Sequence, residues 1–167
     1  LGIPMENVLV NVTHTHSAPD MDVDHPGVQP YKELYKKAHV EAALAAFADR
    51  KPAKMFYGSV ETEGLNFVRH YVCSDGGYKG DNFGSLNPNP IVAHTTQSDN
   101  EMRVVKFFRE EAAPILLVNW QTHPHRTGGF KKYDISADII GAMRDAVEEA
   151  SDCRFIYFSG AGGNINP

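Results

Sequence analysis

Val8-Leu9-Val10-Asn11-Val12-Thr13-His14-Thr15-His16-Ser17 decides how this chain is read. The apolar run at its start predicts a buried β-strand over 7–13. Side chains at i and i+2 of a strand point to one face, so His14 and His16 would share a pocket. Small hydroxyl residues and then Ala18-Pro19-Asp20 leave little bulk to cover the two imidazoles. Asn119-Trp120-Gln121-Thr122-His123-Pro124-His125 repeats the design, a strand that ends in His-x-His. Two such strand ends could converge on one metal ion.

The elements around these segments follow from apolar spacing and breakers. Residues 17–29 read as a polar loop holding Asp20, Asp22, Asp24 and His25. Pro30 suits a helix start, and a helical pattern runs from Tyr31 to about Asp49, with Leu34, Ala38, Ala42, Ala45 and Phe47 near one face. Arg50-Lys51-Pro52 stops it, and Lys54 to Val60 alternates as a strand. Residues 61–99 carry Gly76-Gly77, Gly80, Gly84 and Asn87-Pro88-Asn89-Pro90, which predict turns in place of regular elements. Met102 to Phe108 and Pro114 to Trp120 predict a hairpin. Ser136 or Asp134 would cap a helix over about 137–150, with Ile140, Met143, Val147 and Ala150 on its apolar side. Arg154 to Phe158 is a last strand, feeding Ser159-Gly160-Ala161-Gly162-Gly163-Asn164. This order predicts an α/β fold, a mixed sheet with flanking helices.

The chain of 167 residues is long enough for one domain with a sizeable core. Its net charge is −5 and it has no basic block, which argues against nucleic acid as a partner. Cys73 and Cys153 are too few and too far apart for a disulfide scaffold or a cysteine-rich zinc site. No apolar run approaches the roughly 20 residues of a membrane span. The chain opens on Leu1 without a start methionine and stops at Pro167 after a Gly-rich turn. The expectation is therefore a single domain over 1–167 that is a piece of a larger catalytic domain, partnered by the remainder of its polypeptide or by further copies. Secreted, periplasmic and cytoplasmic locations all stay open.

Neutral imidazole is a good zinc ligand, and three protein ligands plus a water make a catalytic zinc site. His14 and His123 are the leading pair. His16 and His125 are placed to serve as ligands, as hydrogen-bond supports of the ligands, or as acid/base groups. Copper, nickel or iron would also accept these ligands. The aspartates at 20–24 do not fit the twelve-position calcium loop. Asp138 either orients a ligating histidine or is a helix-start charge. Arg69 could clamp a carboxylate or support an oxyanion. The loop 159–164 could bind an anion through backbone N–H groups, but it lacks the lysine of a phosphate loop and the spacing of a dinucleotide fingerprint.

Several segments together resemble the N-terminal catalytic domain of neutral, non-lysosomal ceramidases and their bacterial relatives. Gly2-Ile3-Pro4-Met5-Glu6-Asn7-Val8-Leu9-Val10 and then Thr13-His14-Thr15-His16-Ser17-Ala18-Pro19 resemble that family's Thr-His-Thr-His-Ser-Gly-Pro signature, with Ala18 for glycine. Asn66 to Arg69, Asp99 to Val105, Asn119-Trp120 with His123-Pro124, Ser136-Ala137-Asp138 to Gly141, and Gly160 to Pro167 continue the resemblance in the same order over nearly the whole chain. The resemblance implies that His14 and His123 bind zinc, that His16 lines the pocket, and that Arg69 sits near the substrate. The family's other ligands, a glutamate and a tyrosine, come later in its sequence than the stretch matched here. Its ceramidases carry a serine close to the zinc within Asp/Asn-x-Ser-Pro. Here Asn164-Ile165-Asn166-Pro167 puts Asn166 at the serine's place. That departure makes an amide or ester of a sugar or other polar metabolite an equal candidate to ceramide.

The resulting expectation is a zinc-dependent, ceramidase-like hydrolase that cleaves an amide or ester of a small-molecule or lipid substrate through a metal-activated water. His16 would handle a proton or hold the oxyanion, Arg69 would fix the substrate, and Asn166 would stand where the serine stands. The alternatives are a metal-binding module without catalysis, a lactonase, esterase or deacylase, and a phosphatase using the histidines and aspartates around two metal ions.

Overall fold

A computed structural model describes residues 1–80, 87–127 and 134–167. The turn expected at Gly84 lies outside the described residues. A four-stranded sheet carries the fold, in the order β1-β6-β7-β8. Its strands are β1 (Ala53–Glu61), β6 (Glu101–Arg109), β7 (Ile115–Trp120) and β8 (Arg154–Ser159). The first three pair antiparallel and β7 pairs with β8 in parallel. The sheet is therefore mixed, as the sequence predicts. A parallel pair needs a crossover, and α2 (Asp138–Ala150) lies in the connection from β7 to β8.

The core lies between α2 and one face of this sheet. Val118, Trp120, Phe155 and Tyr157 alternate on β7 and β8 and pack with Ile140 of the helix. Met143 and Val147 extend the contact one and two turns on. Two buried polar groups fix its upper end. Trp120 Nε1 donates to Thr62 Oγ1 at 2.9 Å, and the Tyr157 hydroxyl donates to the Trp120 carbonyl at 2.6 Å.

Four expectations are corrected. Residues 8–12 are not a strand: they follow a short 3-10 helix at Met5–Asn7, and Leu9 and Val10 are about three-quarters exposed. β-propensity builds a strand only against a neighbour that completes its ladder, and among the described residues this stretch hydrogen-bonds to the sheet at the end of β8, where Asn11 Oδ1 accepts from Ser159 N at 3.0 Å. Helix α1 (Gln29–Ala48) forms where expected, with Pro30 in its first turn, but buries no residue, so its apolar side is not a core face. A salt bridge from Arg109 to Asp49 ties its C-terminal end to the sheet at 2.6 Å. The stretch 61–99 holds four short strands among its turns: β2 (Phe67–Val68), β3 (Tyr71–Cys73), β4 (Tyr78–Lys79) and β5 (Ile91–His94). Runs of two to four residues are too short to show a period. Finally, neither Ser136 nor Asp134 holds the N-cap of α2; Ala137 does, while Ser136 Oγ accepts from Asp138 N at 3.0 Å.

No helix among the described residues is long and apolar enough to cross a membrane. The topology has one consequence for chemistry. Because β7 and β8 run parallel, Trp120 and Ser159 end side by side. The residues that follow, Gln121-Thr122-His123 and the glycine loop, therefore leave the same edge of the sheet, which is where ligands gather in α/β folds.

Candidate metal centre

His123 sits three residues past the end of β7 and is buried. The glycine loop positions it. A Cβ on Gly162 would lie 2.7 Å from the Thr122 carbonyl oxygen, and one on Gly160 would lie 2.8 Å from Gln121 Oε1. Only glycine allows the loop to come this close to the residues leading into His123. His123 Nδ1 is 3.2 Å from the Gly162 carbonyl oxygen. A carbonyl only accepts, so Nδ1 carries the proton and Nε2 presents its lone pair.

His14 and His16 arrive on the other side, not from a strand but from an irregular segment. His14 has φ 61°, in the left-handed region. A non-glycine residue there costs roughly 1–3 kcal/mol and persists only where its surroundings dictate it. Those surroundings are visible. His16 N donates to the Pro124 carbonyl at 3.1 Å, Thr15 Oγ1 donates to the Ser136 carbonyl at 2.7 Å, and Ser136 N donates to the Ser17 carbonyl at 2.9 Å.

The result is a convergence of three imidazoles. His16 Nε2 lies 3.2 Å from His14 Nε2 and 2.8 Å from His123 Nε2. One ligand atom from each of the three lies within 4.8 Å of the other two. Nitrogen ligands at the zinc–imidazole distance on a tetrahedron sit about 3.3 Å apart. The His14–His16 contact matches that spacing closely, and the His16–His123 contact is shorter than it by about half an ångström. Burial pushes the pKa of both His16 and His123 down, and the charge of Arg69 and the neighbouring imidazoles push the same way. The Gly162 hydrogen bond at His123 and the Asp138 charge at His16 oppose these without cancelling them. Both shifts favour the neutral ring, the form that binds metal. His14 and His16 are exposed, so the centre is open to solvent on one side. A cavity of about 180 Å³ adjoins it, lined by His14, Thr122, His123 and the glycine loop.

The other residues singled out in the sequence fall around this centre in different ways. Arg69 follows β2, which pairs with β9 (Ile165–Asn166). Its Nη2 donates to the Gly163 carbonyl at 2.8 Å and its backbone N–H to the Asn164 carbonyl at 2.9 Å, so it braces the glycine loop. Asn166 faces Phe67 across the same ladder, with a buried Oδ1 that has no hydrogen-bond partner among the described residues. His125 turns its Nδ1 to the His123 carbonyl at 2.9 Å, and its ring centroid is 5.3 Å from that of His123 and 6.0 Å from that of His16. It stands beside the group of three. Asp20, Asp22 and Asp24 are not part of that group, which among the described residues contains no carboxylate.

Asp138 stands in the first turn of α2, as the helix-start reading has it, but half of its carboxylate is turned elsewhere. It is buried, and among the described residues its carboxylate accepts from backbone and hydroxyl groups and not from a histidine: Oδ2 accepts from Thr127 N and from Thr127 Oγ1, both at 2.7 Å, and Oδ1 accepts from Ile139 N at 2.8 Å. Burial alone would raise its pKa, but these hydrogen bonds together outweigh it and hold the carboxyl below its usual range. Ser17 Oγ is 2.8 Å from Thr127 Oγ1. Ser17 and Thr127 were not singled out from the sequence. Their one signal was a hydroxyl residue placed shortly after each His-x-His.

No family model matches this sequence, and no curated protein matches it. Among solved structures, the chain is similar to the neutral ceramidase from Pseudomonas aeruginosa, with a TM-score of 0.51 and 20% identity over 77% of this chain. It is also matched by a ceramidase complexed with C2, with a TM-score of 0.47 and 21% identity over 70% of this chain. The matches span 19% and 17% of those two chains. At 20% identity the likeness to the Pseudomonas enzyme shows the fold: this chain shares a mixed α/β architecture with part of it.

Proposed function

We propose that this chain supplies the histidine ligands of a zinc-dependent hydrolase that cleaves an amide or ester bond. The observation that carries the reading is the meeting of His14, His16 and His123 at 2.8 and 3.2 Å, from segments 107 residues apart. A zinc ion held there would polarise a carbonyl and lower the pKa of a water. The position of His16 Nε2 between the other two supports a place among the ligands more than a separate proton-handling role. Arg69, whose charge is felt at His16 and His123, would orient a substrate carbonyl or carboxylate at the rim.

The shared fold and the Thr-His-Thr-His-Ser resemblance support a ceramidase-like hydrolase. Two features favour a polar or short-chain substrate over ceramide. Asn166 stands at the place of the family's serine, offering an amide where a hydroxyl would be. The cavity beside His14 and His123, at about 180 Å³, is below the usual range for a drug-sized ligand. Elemental analysis of the purified protein, with hydrolysis of amide and ester panels measured with and without chelator, tests the reading. One equivalent of zinc and chelator-sensitive turnover are expected. Turnover indifferent to chelator, or protein that takes up no metal, would contradict it.

A further inference from the structure

We propose that Asp138 is a positioning residue for the histidine cluster, acting through Thr127 on the segment that carries His16. The inference rests on the metal-binding reading above and adds the device that holds its ligands in place. A carboxylate only accepts, so the single hydroxyl proton of Thr127 goes to Asp138 Oδ2. The Thr127 oxygen must then accept at its other contact, and Ser17 Oγ donates to it at 2.8 Å. The direction of the chain is fixed: Ser17 to Thr127 to Asp138. Ser17 follows His16 directly, and Thr127 lies four residues after His123. The relay thus ties together the two segments that deliver the imidazoles.

A helix-start role does not account for this. Only Oδ1 serves α2, through Ile139 N, while Oδ2 is committed to both donors of Thr127. Asp138 also has φ 54°, a left-handed conformation that aspartate tolerates better than most residues. Its backbone N–H is held by Ser136, whose own N–H and carbonyl grip Ser17 and Thr15. Hydrogen bonds behind the ligands orient them at metal sites; here a buried carboxylate in a disfavoured backbone conformation is joined to both histidine segments through Thr127 and Ser136.

The test compares Thr127→Val, which removes the hydroxyl at nearly constant volume, with Thr127→Ser, which restores it, and with Asp138→Asn, which leaves at least one of three donors unmatched. Cobalt(II) is the probe, read by chelator competition and by its visible absorption, with far-ultraviolet circular dichroism confirming the fold. We expect T127V and D138N to weaken cobalt binding about 10- to 100-fold and to change the visible band, and T127S to return both to wild type. Wild-type affinity and spectrum in T127V and D138N would overturn the clamp. If the wild-type protein takes up no cobalt, the metal reading fails instead. The clamp is then judged on metal-free protein by the imidazole ¹⁵N signals of His16 and His123. Signals that shift in T127V and return in T127S support it; signals that stay in place overturn it.

Discussion

The Nε2 atom of His16 lies 2.8 Å from the Nε2 atom of His123, across 107 residues of sequence. Two uncharged imidazoles make that contact only with one proton between them. His123 Nδ1 already donates to the Gly162 carbonyl, so the shared proton belongs to His16. A cation that displaces this proton gains both lone pairs, and His14 Nε2, at 3.2 Å from His16, completes the set.

Replacing His14, His16 or His123 with alanine should each remove stoichiometric zinc from the purified protein. His125→Gln should keep it, because His125 spends Nδ1 on the His123 carbonyl and stands outside the group of three. Metal content by plasma mass spectrometry checks both statements. A His125→Gln protein without metal would enlarge the ligand set, and a zinc-replete His16→Ala would remove His16 from it.

Acid should release the metal late. The pKa values of His16 and His123 are pushed down, first by burial and then by neighbouring positive or ionisable groups. Protons therefore compete for these nitrogens only below the ordinary histidine range, and zinc occupancy should persist somewhat below about pH 6.5 before it falls. The same shift has a sign for the metal-free fold. Lowered folded-state values mean that the unfolded chain binds more protons, so stability drops as pH falls from the unfolded value through the folded ones. Arg69→Met removes a positive charge felt by both rings and should raise both pKa values, read by histidine NMR titration.

Gly162 and Gly163 should differ in their response to alanine. A Cβ on Gly162 meets the Thr122 carbonyl oxygen at 2.7 Å, next to His123, whereas a Cβ on Gly163 has nothing within 4 Å among the described residues. Forcing backbone apart in a packed site costs about 1–3 kcal/mol. Gly162→Ala should lower the denaturation midpoint and weaken zinc binding, and Gly163→Ala should leave stability near wild type.

Tyr157→Phe should cost only about 0.5–1.5 kcal/mol in denaturant unfolding. The hydroxyl it removes donates to the Trp120 carbonyl, but that carbonyl also accepts from Gly160 N at 2.9 Å and is not orphaned. A loss of several kcal/mol would show that the hydroxyl carries more than this one bond.

The sequence was informative where a residue's neighbours along the chain set its structure. The hairpin of β6 and β7, the apolar stripe Ile140-Met143-Val147 and the strand from Arg154 all form close to where their spacing put them, because each buries one face against the same core. Residues 8–12 and helix α1 carry equally clear patterns, yet stay exposed, since pattern states what a segment can bury and not what lies beside it. That the two His-x-His segments would meet was legible. The route was not: His14 turns through a left-handed conformation, so its ring meets that of His16 without the strand alternation that suggested it. The Ser17–Thr127–Asp138 chain joins residues up to 121 positions apart in sequence and exists only after folding.

X-ray absorption at the zinc edge of the reconstituted protein tests the centre most directly. The spectrum should show nitrogen or oxygen neighbours at about 2.0–2.1 Å, with the outer-sphere signature of three imidazoles. A bound zinc with sulfur in its shell, or one with fewer than three imidazoles, would contradict the assignment of His14, His16 and His123 as its ligands.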